Sequence, residues 1–261
     1  MERVNIDDRY PAHMEIRQDD AEYLAFYNTL SATFTGMQGL NSFCDVGCAT
    51  GHLIKLVKLN HPEVAVAGLE YFQYHKDSAS SLIRDNIHIC DLRDDICDPV
   101  IKAERHLDLP TYDLVVCTEV GERIDRAYES RLLKNIRSLM HEKSQLVMSW
   151  SETGGVNDKE SDPYHQHLNP LNRKTFERMM TFNGFKLLND RSMAMVISSF
   201  EEEKFSHWSR SSLSVWCIDS SFKYFGDTAT YSQYNALMNL VAKDGFNPEA
   251  ASLIFKGNVN K

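Results

Sequence analysis

One stretch limits the fold of this chain more than any other: Ser42-Phe43-Cys44-Asp45-Val46-Gly47-Cys48-Ala49-Thr50-Gly51, continued by the helical run His52 to Leu59. It reads as a short buried strand, an acid at the strand's end, a glycine turn and a helix. Glycine suits such a turn because it tolerates positive φ and lets a ligand approach bare backbone. The helix directs its first N–H groups and its positive dipole end towards the turn. This is a corner built for a nucleotide-like molecule. A dinucleotide fingerprint G-x-G-x-x-G needs its second glycine for the pyrophosphate and its third for helix packing. Counted from Gly47, those places hold Ala49 and His52, so a pyrophosphate does not fit the pattern.

The chain then repeats a strand that ends in an acid. Glu63 to Glu70 is an apolar run closed by Glu70, about 20 residues after the turn, where a carboxylate can accept from both hydroxyls of a ribose. A solvent-facing glutamate is the plainer reading of Glu70, and a dinucleotide would use an acid here too. Tyr71 to Ile83 reads as a helix, and Asn86 to Leu92 as a third strand with Asp91 near its end. Tyr112 to Val120 is apolar throughout, in the manner of a central parallel strand. It runs into Glu119-Val120-Gly121-Glu122-Arg123-Ile124, at the switch region where such sheets bind ligands. A packing helix from Asp125 to Met140 and a fifth strand, Gln145 to Trp150, follow.

The spacing Asp45-x-Gly47-x-x-x-Gly51 resembles the first motif of the Rossmann-like S-adenosylmethionine-dependent methyltransferases, with Ala49 where glycine is usual. The segment Glu119 to Ile124 resembles the Glu-Val-x-Glu-His-Ile form of that family's small-molecule branch, with Arg123 in place of histidine. The resemblance covers residues 40–218 and implies an α/β three-layer sandwich: a mostly parallel seven-stranded sheet in the order 3-2-1-4-5-7-6. Helical additions flank it, so the organisation is an arm and helix over 1–40, the methyltransferase domain over 41–218, and a helical extension over 219–261. The cofactor implied is S-adenosylmethionine, held by Asp45, Gly47, Cys48, Gly51, Glu70, Tyr71, Asp91, Leu92 and Glu119. Asp91 would meet the adenine amino group and the Leu92 N–H a ring nitrogen.

The catalytic candidates are His165, His167 and Glu122, with no metal assigned. The two histidines stand in Asp162-Pro163-Tyr164-His165-Gln166-His167, inside a long aperiodic stretch from Ser151 to Asn169; loops of that length in compact domains are usually functional or disordered. Histidine titrates near neutral pH and could take a proton from a hydroxyl or amine acceptor. Plain surface histidines, or a metal shared with Asp162 or Glu122, are the competing readings.

Before the corner, Tyr23, Phe26, Tyr27, Leu30 and Phe34 form one helical apolar stripe that ends at Gly36. After the loop, Asn172, or Asn169 followed by Pro170, caps a helix reaching Asn183, with Gly184 as its stop. Phe185–Ile197 and Leu213–Ile218 supply a closing strand pair. In the tail, Tyr234, Leu237, Met238 and Val241 form another stripe, either packed on the domain or a surface for a homo-oligomer.

The balance of 37 acidic against 28 basic residues, with no basic block, argues against a nucleic-acid partner and for a small-molecule methyl acceptor. No apolar run is long enough to span a bilayer, which argues against a membrane partner. The start lacks a signal-peptide core, and six cysteines without Cys-x-x-Cys spacing fit a reducing cytoplasm. The expectation is methyl transfer to an oxygen or nitrogen nucleophile, with carbon as a further option. An RNA or protein methyltransferase, or a non-catalytic module on the same fold, is the alternative.

Overall fold

Ser42–Val46 forms the central strand β1, and its four last residues are buried because both faces of the strand are covered. The computed structural model describes residues 39–151, 171–192 and 211–220, together with Tyr27, Asn28, Leu30, Ser31 and Phe34. Along it run α1 (His52–Asn60), β2 (Ala65–Glu70), α2 (Gln73–Ser78), β3 (Ile87–Ile89), α3 (Pro99–Arg105) and β4 (Tyr112–Cys117). Then come α4 (Glu129–Ser138), β5 (Met140–Ser151), α5 (Arg173–Phe182), β6 (Phe185–Ser192) and β7 (Ser211–Ile218).

The seven strands make one sheet in the order β3-β2-β1-β4-β5-β7-β6, the order expected from the family resemblance. Strands β1 to β5 pair in parallel, while β7 runs antiparallel between β5 and β6. Parallel strands covered on both faces read as unbroken apolar runs, which is how β4 stood out in the sequence. Alternation along each strand sorts the two faces. Phe43, Val66, Leu114, Val116, Val147 and Leu213 pack with Leu53, Ile54 and Val57 of α1 in one core, which Leu30 and Phe34 also join. On the other face Phe176 of α5 lies between Trp150 and Trp216, at ring separations of 5.4 and 5.7 Å. The result is three layers, helix on sheet on helix.

Several boundaries differ from the sequence expectation, each for a local reason. The helix expected to Ile83 stops at Ser78, because the Arg84 guanidinium donates to the Ala79 carbonyl at 2.9 and 3.2 Å and folds the chain into a turn. The helix expected from Asp125 to Met140 begins as a 3-10 turn, Arg126–Tyr128, and becomes α-helical only at Glu129. Met140 already belongs to β5, which starts five residues before the expected Gln145. The helix α3 was not expected, although Asp98 caps it by accepting from Val100 and Ile101 N–H, and Pro99 opens it. The segment 152–170, the strand portion beyond Ser192 and the 221–261 tail lie outside the described residues, and so do most of residues 1–38.

Candidate active site

The corner adopts the backbone that its glycines suggest. Gly47 and Gly51 lie in the left-handed region at φ +77° and +76°. Ala49, where the family resemblance favours glycine, is left-handed as well, at φ +49°. Gly47 and Cys48 both donate their N–H to the Leu69 carbonyl, at 2.8 and 3.0 Å, which ties the turn to the end of β2. A Cβ on Gly47 would lie 2.3 Å from Val120 Cγ2. The loop after β4 therefore closes directly on the glycine turn, and the two candidate motifs form one crevice. Cys48 is buried, and burial pushes its thiol well above the ordinary range, so it lines the turn as an inert small side chain.

Three carboxylates ending successive strands stand around this turn, each in a different state. Asp45 is 4% exposed. Burial, and then the neighbouring Glu70, push its carboxyl up from 3.8 to about 7, and it makes no salt bridge among the described residues. Glu70 is equally buried but well held: Oε2 accepts from Ala49 N at 2.8 Å and Oε1 from Phe72 N at 2.9 Å. Asp91, just past β3, is gripped by Arg93, whose Nε and Nη2 reach the two carboxylate oxygens at 2.8 and 2.6 Å. The same guanidinium lies 5.5 Å from the centre of the Tyr71 ring, a cation–π distance. An adenine amino group would therefore meet an Asp91 whose orientation Arg93 already sets.

At the end of β4 the backbone is strained. Glu119 sits at φ +59°, costly for a residue with a long side chain. Two neighbours hold it there: its N–H donates to Ser149 Oγ at 2.8 Å, and its carbonyl accepts from Arg123 Nε at 2.9 Å. Gly121 packs against the Trp150 ring, where a Cβ would come within 2.2 Å. Glu122 has no exposed surface, and among the described residues no hydrogen bond reaches its carboxyl oxygens. Burial first, and Glu119 second, hold its carboxyl well above the usual range. A carboxyl raised in this way by burial favours its protonated form, which suits a hydrogen-bond donor more than a base. His165 and His167 lie outside the described residues.

The sequence reading missed four residues that shape the site. Asn135 of α4 donates to the carbonyls of Leu92 and Asp94 at 3.0 and 2.8 Å and accepts from Ile96 N at 3.3 Å, which fixes the loop carrying Leu92. Its signal was a polar residue within the apolar stripe Leu132, Leu133 and Ile136. Arg93 and Ser149 carried no signal of their own, and His75 is taken up below.

Strand ends bearing acids, a left-handed glycine turn and a crevice at the sheet's switch point define an α/β domain that binds an adenosyl-type ligand. The chain matches the family described as "Methyltransferase domain" over residues 15–189, and it belongs to that family. The family bears out the cofactor expected from the sequence, S-adenosylmethionine. No curated protein matches in sequence. Among solved structures, an S-adenosylmethionine-dependent methyltransferase from Clostridium acetobutylicum is similar at 10% identity, TM-score 0.55, with 79% of this chain and 96% of that one covered. The mitomycin 7-O-methyltransferase MmcR is similar at 13% identity and TM-score 0.52, with 80% and 61% covered. The pyocyanin biosynthetic protein PhzM is similar at 15% identity and TM-score 0.50, with 76% of this chain and 55% of that one covered. At such identities the likeness is one of fold.

Proposed function

We propose that this domain moves a methyl group from S-adenosylmethionine to an oxygen, nitrogen or carbon nucleophile of a small molecule in a reducing cytoplasm. The observation that carries the cofactor side is Asp45, a buried carboxylate without a salt bridge among the described residues, beside Glu70 and under a glycine turn with no room for a side chain. Two buried acids with no described Lys or Arg on either suit a ligand that brings positive charge. S-adenosylmethionine brings an ammonium and a sulfonium, and its charged sulfur makes the attached methyl an electrophile.

The chain's own residues then bind, orient and exclude water. Glu70 faces the ribose, and Asp91 and the Leu92 loop face the adenine, steadied by Arg93 and Asn135. Gly47 and Val120 wall the turn, so that Asp45 faces the ligand's positive end. Glu119, pinned by Ser149 and Arg123, stands at the β4 end, close to Glu122, whose carboxyl burial raises. In-line positioning of this kind contributes up to about 7–11 kcal/mol in favourable cases. A base is needed only where the acceptor arrives protonated, and His165 and His167 are the candidates for it.

Similar folds include an O-methyltransferase and the CurJ carbon methyltransferase, so the architecture accommodates either acceptor atom. The small-molecule reading is supported by the excess of acidic over basic residues, which disfavours a polyanion. Its test is incubation with methyl-labelled S-adenosylmethionine and separated RNA, protein and metabolite fractions. Label in the metabolite fraction is expected; label confined to RNA or protein would overturn the acceptor class.

A further inference from the structure

Asp45 stands near the end of β1, opposite Gly68 of β2 on one side and Val116 of β4 on the other. Among the described residues no hydrogen bond or ion pair reaches its carboxyl. The described titratable groups that face it are Glu70 from β2, Cys44 beside it in β1, Cys48 on the turn and Cys117 on β4. Burial pushes the three thiols well above their ordinary range, so they bring no charge of either sign. One imidazole adjoins the pair of acids, that of His75 in α2. It lies against Glu70, Nδ1 3.2 Å from Oε1, without hydrogen-bond geometry.

A carboxylate buried without donors lowers its energy by pairing with a cation or by taking up a proton. Glu70 accepts from two backbone N–H groups, those of Ala49 at 2.8 Å and Phe72 at 2.9 Å, and donors of this kind favour the charged form. Asp45 has no such donor. A proton taken up by the two adjacent acids therefore goes to Asp45, and burial with Glu70 alongside raises its carboxyl from 3.8 to about 7.

We propose that cofactor binding at this corner is proton-linked: the ligand-free protein carries a proton on Asp45, and the ammonium of the ligand's amino-acid end drives it off. The exchange balances. The neutral carboxyl gives H⁺ to solvent, the O–H electron pair stays on the oxygen, and the new carboxylate pairs with the ammonium that the ligand brings. Departure of the product returns the proton. The proposal rests on the cofactor reading above and adds a pH dependence to it. A cation beside Asp45 lowers its carboxyl in the complex, so binding releases a proton below about pH 7. Affinity rises with pH through that range and levels above it.

The experiment is calorimetric titration of the unsubstituted chain at pH 6 and pH 8, in buffers of different ionisation heat, which counts the protons released. S-adenosylhomocysteine is expected to release more than half a proton at pH 6 and almost none at pH 8. It should bind about tenfold more weakly at pH 6, one pH unit below the carboxyl being a factor of ten. The second ligand is 5′-methylthioadenosine, which keeps the adenosine and the sulfur and lacks the amino acid. It is expected to release almost no proton at either pH and to bind with affinity unchanged within about twofold. Infrared difference spectra of the ligand-free protein between the two pH values should show a protonated carboxyl band that is absent from Asp45→Asn. Binding of S-adenosylhomocysteine at pH 6 without proton release would overturn the proposal. So would equal release by the two ligands, or a band that persists in Asp45→Asn. Should Asp45→Asn fail to fold, the two ligands on the unsubstituted chain still decide. If S-adenosylhomocysteine does not bind at pH 8 at all, the cofactor reading fails, and this proposal with it.

Discussion

Replacing Asp45 with asparagine removes a charge that the ligand-free protein holds at a cost. Asp45 is buried beside Glu70, and its carboxyl is raised from 3.8 to about 7. A group whose folded value lies above its unfolded value favours the protonated folded state, so ionisation destabilises the fold. The sign follows. The penalty is absent below about pH 4, grows as the pH rises through the interval, and is complete above about pH 7. At ~1.4 kcal/mol for each pH unit of that gap, the ceiling is about 4 kcal/mol. For a chain of this size 1 kcal/mol moves the melting temperature by about 2–4 °C. Asp45→Asn, nearly the same shape without the charge, is therefore expected to melt several degrees higher at pH 8 without ligand. That advantage should be more than halved at pH 5. The same variant should lose most of the upward shift that S-adenosylhomocysteine gives the unsubstituted chain. Differential scanning calorimetry at the two pH values reads both effects. A variant that melts no higher at pH 8, or whose advantage does not change with pH, would refute the idea that an uncompensated acid waits in this crevice.

Gly47→Ala places a Cβ 2.3 Å from Val120 Cγ2 at φ +77°, so it should lower stability and abolish cofactor binding. Adding Val120→Ala should restore only part of either, because the backbone strain remains; full restoration in a thermal-shift assay would contradict this. Asn135→Ala strands the buried Leu92 carbonyl and Ile96 N–H, at about 1–3 kcal/mol for each group left unpaired. Urea unfolding should register a loss of several kcal/mol, with weaker S-adenosylhomocysteine binding through the Leu92 loop. Arg93→Met removes the cation from an Asp91 side chain only 9% exposed, a change that costs about 3–5 kcal/mol when a buried pair is broken. A loss below about 1 kcal/mol on the same assay would mean that the pair is solvated. Glu122→Gln keeps the shape of a carboxyl that burial holds well above its usual range, so stability at pH 8 should be unchanged or raised; marked destabilisation there would contradict that cost of ionisation.

The sheet could be read from the chain because its strands are buried on both faces and carry their acids at consistent spacing. The glycine turn was legible for a related reason: left-handed backbone is written in glycine. The same conformation at Ala49 and Glu119 was not, since neither residue type announces it and both are held by tertiary hydrogen bonds, Ala49 N to Glu70 and Glu119 N to Ser149. Helix limits drifted where a side chain intervened, as Arg84 does at Ala79. Of the site, the acids were legible and their states were not. Asp45 without a described salt bridge, Glu70 clamped, Asp91 held by Arg93 and the raised carboxyl of Glu122 all depend on burial and on neighbours that three-dimensional packing supplies. The loop bearing His165 and His167 is where the sequence spoke of acceptor chemistry, and it lies outside the described residues.

Equilibrium titration at pH 8 with S-adenosylhomocysteine and, separately, with NAD tests the central claim most directly, because the two ligands share adenosine and differ in the pyrophosphate for which Ala49 and His52 are wrong. Saturable binding of S-adenosylhomocysteine and none of NAD is the result predicted. Binding of NAD alone would contradict the account of the crevice.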